Sequence, residues 1–167
     1  MIKKKVCMLG TFAVGKTSLV RRFVQGLFSD KYLTTVGVKI DKKVVTVSEE
    51  QVQMVLWDIA GENGFQRLEA AYLRGMSAYF LVVDGTRSRT LDDALTIQER
   101  IKATNGEIPF MVLLNKSDLN DQWELDDDRL TELENTGHRL MRTSAKSGAG
   151  VEEAFSTLAE MMLERVK

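Results

Sequence analysis

Eight residues near the N-terminus, Gly10 to Thr17, follow the spacing GxxxxGK[ST]. Glycines at both ends let the backbone bend closely around an anion and point several N–H groups at phosphate oxygens. Lys16 adds a positive charge, the Thr17 hydroxyl suits Mg²⁺, and the helix expected to follow turns its positive end toward the anion. A triphosphate is therefore the expected ligand, although an ordinary glycine-containing turn is the alternative. The residues expected to contact it are Gly10, Ala13, Val14, Gly15, Lys16, Thr17 and Ser18.

A second segment, Asp58-Ile59-Ala60-Gly61, follows a strongly apolar stretch. Its carboxylate would stand at the carboxyl end of a strand, where it can hold a Mg²⁺-bound water, and the Gly61 N–H can approach a terminal phosphate. The spacing DxxG is weak evidence by itself, because an aspartate that caps a turn has the same pattern. Its place after the phosphate-binding segment favours the functional interpretation.

Asn115-Lys116-Ser117-Asp118 follows another apolar stretch and has the residue types that read a guanine base. The Asp118 carboxylate can accept from both the ring N1–H and the exocyclic amino group of guanine, whereas adenine has an acceptor at N1 and no amino group at C2. A mismatched base leaves buried polar groups unpaired, which can discriminate by roughly 10⁴. The segment Thr143-Ser144-Ala145-Lys146 would complete the pocket, with the Ala145 N–H at the base carbonyl. Alone, Asn115-Lys116-Ser117-Asp118 could be a simple turn, and the segment that starts at Thr143 carries little information by itself.

Compact apolar runs alternate with stretches of helical spacing along the chain, which has no internal repeat and no linker-like segment. The runs are typical of strands buried on both faces. Strands are predicted at Ile2–Leu9, Val52–Trp57, Tyr79–Val83, Phe110–Leu114 and, as a short last one, Arg139–Met141. Helices are predicted at Thr17–Val24, Thr90–Ile101 and Val151–Val166, with a further short one capped within Asp126–Asp128 and ending near Thr136-Gly137.

The segment Gly37–Val47 differs from the other strands because apolar and polar residues are mixed in it. This mixture predicts an edge strand with one exposed face, pairing antiparallel with Val52–Trp57 through a connection of residues 48–51. The order of elements predicts an α/β fold: a doubly wound, mostly parallel six-stranded sheet with helices on both faces and ligand loops at the carboxyl ends of the strands.

The bulk composition is that of a folded chain, with 44% hydrophobic and 28% charged residues in a length of 167. We expect a single domain over residues 1–167. A net charge of −1 gives no global reason to expect nucleic-acid binding. The single cysteine, Cys7, cannot form a disulfide framework and is expected to be a small buried side chain. This cysteine usage fits a reducing cytoplasm. No run approaches the roughly 20 apolar residues of a membrane span, and peripheral membrane association stays open.

These four segments, in this order, resemble the small GTPases of the Ras superfamily over essentially the whole chain, and the Rab branch is the most similar. Trp57-Asp58-Ile59-Ala60-Gly61 is similar to the Rab W-D-T-A-G, and Tyr72-Leu73-Arg74-Gly75 to the Rab Y-Y-R-G. The resemblance implies a monomeric molecular switch that binds GTP and GDP with Mg²⁺ and hydrolyses GTP to GDP and phosphate.

The resemblance also implies residue roles. Mg²⁺ would be held by Thr17, Thr35 and Asp58, and Phe28 would stack near the guanine, unless it docks in the core instead. Loops 28–40 and 61–75 would be the switches that protein effectors and regulators read. The residues implied in catalysis are Lys16, Thr35, Gly61 and Glu62.

The sequence departs from the family pattern in two places. Glu62 stands where most relatives have the glutamine that orients the attacking water. An ionised Glu can only accept and brings negative charge toward a polyanion, which predicts slow hydrolysis. The opposite interpretation is that the nearby phosphate raises the pKa of Glu62 and makes it a general base.

The second departure is Phe12-Ala13, in a stretch that usually has a glycine or another small residue. A phenyl ring there should obstruct an arginine finger supplied by a partner, which leaves hydrolysis near its intrinsic rate. A GTP-binding interaction module with very slow or absent hydrolysis is thus the alternative to a cycling enzyme. A phosphate-loop kinase has less support, because no arginine-rich lid segment is evident.

Overall fold

The structure, a computed structural model, describes residues 1–29, 37–60 and 70–166. Six strands form one sheet in the order β2-β3-β1-β4-β5-β6. Only β2 and β3 pair antiparallel, and the other pairs are parallel. The strands are β1 (Ile2–Leu9), β2 (Val38–Val47), β3 (Glu50–Ile59), β4 (Ala78–Asp84), β5 (Phe110–Asn115) and β6 (Leu140–Arg142). The predicted mostly parallel six-stranded sheet is confirmed, with the expected edge strand β2 at its border.

Within the described residues, five α-helices accompany the sheet: α1 (Lys16–Gln25), α2 (Ala70–Leu73), α3 (Arg89–Asn105), α4 (Asp127–Asn135) and α5 (Val151–Val166). A short 3₁₀ turn covers Asn120–Gln122. The sequence explains several of their ends. Gly15 and Gly26 flank α1 with φ angles of 103° and 70°, which favour glycine. The Asp126 side chain caps α4 by accepting from the backbone N–H of Asp128, as predicted.

Hydrophobic cores lie on both faces of the sheet. All seven residues of β4 are buried, and alternate side chains enter opposite cores, with Phe80 in one and Tyr79 in the other. The first core packs against α1 and α5, where the rings of Phe23 and Phe155 stack 3.8 Å apart. The second packs against α2, α3 and α4. Burial on both faces accounts for the continuous apolar runs of the central strands.

The β2–β3 connection corrects one prediction. The expected connection of residues 48–51 is too long, because Glu50 and Gln51 already pair with β2. Only Ser48 and Glu49 form the turn, with φ angles of 48° and 71°. Positive φ at both residues is the requirement of the tight type I′ hairpin turn, which usually has Asn-Gly. The last strand also lies one residue later than expected, at Leu140–Arg142.

No helix in the described ranges is both long and apolar enough to cross a membrane.

Candidate functional site

The phosphate loop, Gly10 to Gly15, connects β1 to α1 at the carboxyl edge of the sheet. Its two glycines are required by close approach. A Cβ on Gly10 would lie 2.6 Å from the Val82 carbonyl oxygen, and one on Gly15 would lie 2.3 Å from Asn115 Nδ2. Between them, Ala13 has a φ of 63°, which residues other than glycine rarely adopt. The loop is therefore a tightly constrained backbone segment with one strained position.

Lys16, at the start of α1, is only 7% exposed. Its Nζ donates to the carbonyl oxygens of Gly10 at 2.9 Å and Thr11 at 3.2 Å. Burial lowers the pKa of Lys16 to about 8, and the charge of Asp58 offsets part of that effect. A buried amine held by carbonyls gains from a bound anion, so this position fits the phosphate predicted from the spacing.

Thr17 and Asp58 come together as the sequence predicts, with Thr17 Oγ1 donating to Asp58 Oδ2 at 2.6 Å. Asp58 lies inside β3 rather than after it, which corrects the predicted boundary, and it is 1% exposed. A hydroxyl beside a carboxylate is an oxygen pair that suits Mg²⁺ when phosphate oxygens complete the shell. Among the described residues, no group of three or more His, Cys, Asp or Glu could hold a metal without such help.

Asn115 and Lys116 lie at the end of β5 and reach back to the phosphate loop. Asn115 Nδ2 donates to the Val14 carbonyl at 3.0 Å, and its Oδ1 accepts from Thr143 Oγ1 at 3.1 Å. Lys116 Nζ donates to the Ala13 carbonyl at 3.1 Å. These bonds join two segments that are about a hundred residues apart in the chain.

Asp118 is exposed, and its carboxylate is oriented by Ser144, whose Oγ donates to Asp118 Oδ1 at 2.8 Å. Ser144 is fully buried and is itself fixed, since its Oγ accepts from the Ser147 N–H at 3.0 Å. A carboxylate that is anchored at one oxygen and accessible keeps acceptor capacity for a ligand. This arrangement suits the recognition of paired N–H donors such as those of guanine.

Ala145 and Lys146, which follow Ser144, are tied to α1 by a residue that the sequence did not point to. Arg22 Nε donates to the Ala145 carbonyl at 2.7 Å, and the Arg22 guanidinium also contacts the Lys146 carbonyl. Ala145 is 4% exposed. Arg22 has the sequence signature of an ordinary solvated helix residue, so nothing in the chain pattern could have indicated this contact.

Asp84, at the end of β4, is a second unpredicted member of the site and is 1% exposed. Its Oδ2 accepts from Lys116 Nζ at 2.8 Å and from Arg87 Nε at 2.9 Å, and Thr86 donates to Oδ1. Burial alone would raise the pKa of Asp84, but hydrogen bonds from Lys116, Thr86 and Arg87 outweigh it and hold the pKa below its ordinary value. The signal in the sequence that could have identified Asp84 was a carboxylate at the end of a wholly apolar strand.

The remaining predicted residues divide into two groups. Ser18 lies in the first turn of α1, and Phe12 and Phe28 are exposed, at 54% and 36%. The exposure of Phe28 shows that its alternative role as a core residue is wrong. Thr35, Gly61 and Glu62 lie outside the described residues, as do the larger parts of both expected switches, so their roles stay predictions.

Comparison with known proteins agrees with this geometry. The family model described as "Ras family" matches residues 5–164. The human Ras-related protein Rab-8B is 31% identical over 164 residues, which cover 97% of this chain and 79% of the relative. Rab-8A of Bos taurus is 31% identical over 157 residues, covering 93% and 76%, and Rab-8 of Diplobatis ommata is 30% identical, covering 97% and 78%. The chain therefore belongs to the Ras family, as a Rab-like small GTPase that acts as a GTP-binding switch.

Proposed function

We propose that this chain is a Mg²⁺-dependent guanine-nucleotide switch that binds GTP and GDP, hydrolyses GTP slowly, and signals through loops 28–40 and 61–75. The observation that carries the proposal is the junction between the two halves of the site. Asn115 and Lys116, from the base-reading segment, hydrogen-bond directly to carbonyls of the phosphate loop. A base pocket and a phosphate cradle joined in this way fit one nucleotide spanning both.

The roles of the residues follow from their chemistry. Lys16 and the loop N–H groups bind the phosphates, while Asp118 and the Ala145 N–H bind the guanine edge. Thr17 and Asp58, with Thr35, would hold Mg²⁺, which neutralises phosphate charge when bound. Phe28 stacks on the base, with the Lys116 stem on its other side, and Ser144 orients Asp118. Gly61 would place its N–H at the terminal phosphate.

Slow hydrolysis is proposed from two positions. Phe12 is 54% exposed within the phosphate loop, and a phenyl ring there would obstruct an arginine supplied by a partner. Glu62 replaces a residue that can both donate and accept. We expect an unassisted rate on the order of 10⁻⁴ s⁻¹. The exposed Phe12 also favours a second candidate function, a nucleotide-locked interaction module that does not cycle.

Competition between nucleotides tests the base assignment. A fluorescent GDP analogue bound to the chain with Mg²⁺ should be displaced by GTP and GDP, and ATP should need roughly 10⁴-fold higher concentration. Asp118→Asn should weaken GDP binding, because it replaces one acceptor by a donor, whereas Asp121→Asn removes the same charge nearby and serves as the control. ATP that competes as well as GTP would refute the proposal.

Single-turnover hydrolysis tests the rate assignment. Glu62→Gln should accelerate phosphate release from bound GTP, because glutamine can orient water and donate to a phosphate oxygen. Phe12→Gly should accelerate it when a partner that supplies an arginine is present. Val44→Ala, which changes an exposed apolar residue of β2 outside both expected switches, controls for general perturbation. Rates unchanged by both substitutions would show that neither position limits the chemistry. Release of no phosphate over hours, with GTP present in the purified protein, would favour the locked module.

The same proposal includes a single domain over residues 1–167, a monomer, and a cytoplasmic location that allows peripheral membrane association. Light scattering of the GDP-bound chain should give the mass of one chain, 18.8 kDa. A stable dimer would contradict this part of the proposal.

A further inference from the structure

Three consecutive carbonyls of the phosphate loop, those of residues 12–14, are each held by a side chain from another loop. Arg87 Nη2 donates to the carbonyl of residue 12 at 2.9 Å. Lys116 Nζ donates to that of residue 13 at 3.1 Å, and Asn115 Nδ2 to that of residue 14 at 3.0 Å. Asn115 and Lys116 belong to the base-reading segment, whereas Arg87 belongs to neither predicted motif. The structure thus adds Arg87 as a third side chain that holds a carbonyl of the phosphate loop.

Two of these three side chains, Arg87 and Lys116, donate to the same carboxylate. Asp84 Oδ2 accepts from both Arg87 Nε, at 2.9 Å, and Lys116 Nζ, at 2.8 Å. Asp84 is 1% exposed, and Thr86 fixes its other oxygen through the backbone N–H at 2.9 Å and the hydroxyl at 2.6 Å. Because the carboxylate cannot turn away, the guanidinium beside it is held in a single orientation. The guanidinium then donates to Asp84 through Nε and to the carbonyl of residue 12 through Nη2.

These three hydrogen bonds set the direction of the loop's N–H groups. In a trans peptide, the carbonyl and the following N–H point in opposite directions. Holding the carbonyls of residues 12–14 therefore turns the N–H groups of residues 13–15 away from the three side chains that hold them. Successive N–H groups presented in this way form an anion-binding concavity. Ala13 has a φ of 63°, which a residue with a Cβ disfavours, so the peptides on either side of it need external support.

We propose that Arg87 is a positioning residue of the phosphate loop, which holds the peptide between Phe12 and Ala13 so that its N–H faces the phosphates and thereby slows nucleotide release. The inference rests on the proposed guanine-nucleotide binding and adds a residue to it. The Arg87 side chain is 44% exposed, so it can be replaced without opening a core.

The release rate of a fluorescent GDP analogue from the full chain with Mg²⁺ tests the role of Arg87. Arg87→Gln should release it about tenfold faster, since one charge-assisted hydrogen bond to the loop is lost. Arg87→Lys should give an intermediate rate, because one ammonium cannot hold both Asp84 and the loop carbonyl as the guanidinium does. Arg89→Gln removes the same charge from an exposed position two residues away and should stay within about twofold of the parent.

A comparison of GDP with GMP separates positioning from a general loss of folding. GMP lacks the β-phosphate that the loop N–H groups are expected to hold. Arg87→Gln should therefore weaken GDP binding more than GMP binding, at a temperature where unfolding curves show the variant to be folded. An equal loss for both ligands, or a GDP release rate equal to that of Arg89→Gln, would overturn the inference. A parent chain that takes up no GDP would instead refute the proposed function, and this inference with it.

Discussion

Lys16 shows how one buried charge can serve a ligand at the expense of the free protein. Its amine is 7% exposed and its pKa is lowered to about 8, chiefly by burial. The charged form therefore carries a desolvation cost that carbonyl partners do not remove and that a phosphate would offset. The residue that the spacing GK[ST] identifies for phosphate binding should thus be measurable as a destabilising group in the nucleotide-free chain.

Stability against pH tests this effect in the nucleotide-free, metal-free protein. Because the folded pKa of Lys16, about 8, lies below its ordinary value of 10.5, the unfolded chain binds more protons between these values. The free energy of unfolding should therefore rise with pH across this window, by roughly 2 kcal/mol from about pH 7 to about pH 9.5. Urea unfolding of the parent and of Lys16→Met measures it. Lys16→Met keeps every other titrating group, so subtracting its free energy of unfolding from that of the parent isolates the contribution of Lys16. This difference should rise with pH, and a difference that does not change with pH would contradict the buried charge.

Cys7 gives a second prediction at a single residue. It is fully buried in β1, and burial raises its pKa to about 12, with a smaller opposing effect from Lys5. Since the thiolate is the nucleophile, an aromatic disulfide reagent near pH 8 should react with the native chain at least a hundredfold more slowly than with the urea-unfolded chain. Cys7→Ser supplies the background. Fast reaction in the native state would show that β1 opens far more readily than its burial indicates.

Spacing identified the site residues that belong to short fixed patterns, and missed two residues outside such patterns that hold the backbone of a distant segment. Lys16, Asn115 and Lys116 stand in short fixed patterns, so their meeting could be anticipated. Arg22 and Arg87 hold carbonyls that lie far away in the chain, and a carbonyl is present at every residue. No residue pattern can single out such an acceptor before the fold is known.

At the scale of elements, burial decided what the sequence could predict. The apolar runs located β1, β4 and β5 to within a residue or two, because both faces are covered in β4, in nearly all of β5 and in the second half of β1. The hairpin between β2 and β3 was predicted with too long a connection. Its turn residues, Ser48 and Glu49, adopt left-handed conformations without the Asn-Gly signal that normally announces such a turn. The pairing of the flanking strands therefore imposes a turn that the local sequence does not favour.

Replacing this turn by its favoured sequence should stabilise the chain. In the double variant Ser48→Asn with Glu49→Gly, both residues suit the positive φ angles of 48° and 71°. Relief of the strain is worth roughly 1 kcal/mol, or an increase in Tm of about 2–4 °C for a chain of this size. Thermal unfolding followed by circular dichroism measures the change.

Glu50→Gly is the matched control for the hairpin, because it makes the same chemical change one residue later, inside β3. Glycine in a strand costs roughly 0.5–1 kcal/mol, so the control should lower the Tm. Opposite signs at neighbouring positions would establish that backbone conformation causes the effect. A decrease in Tm for the turn variant would show that the hairpin is not strained.

At the scale of the whole molecule, parallel strand order brings together segments that the chain keeps far apart. The ends of β1, β3, β4 and β5 meet at one edge of the sheet. There Asn115 contacts the phosphate loop across 101 positions, and Arg22 reaches the Ala145 carbonyl across 123. A ligand that binds at this edge contacts elements from most of the chain, so its binding energy should appear as stability of the entire fold.

Ligand-dependent melting tests this coupling. GDP with Mg²⁺, at about a thousand times its Kd, should stabilise the fold by roughly 4 kcal/mol, or about 8–16 °C in Tm. A chelator should reverse much of the increase, because Thr17 and Asp58 would then hold no ion beside the phosphates. ADP with Mg²⁺ is the control: it offers the same phosphates, but its base lacks the donors that Asp118 accepts, so its protection should be far smaller. Equal protection by ADP would show that the phosphate cradle alone carries the binding and that Asp118, despite its anchoring by Ser144, does not select the base.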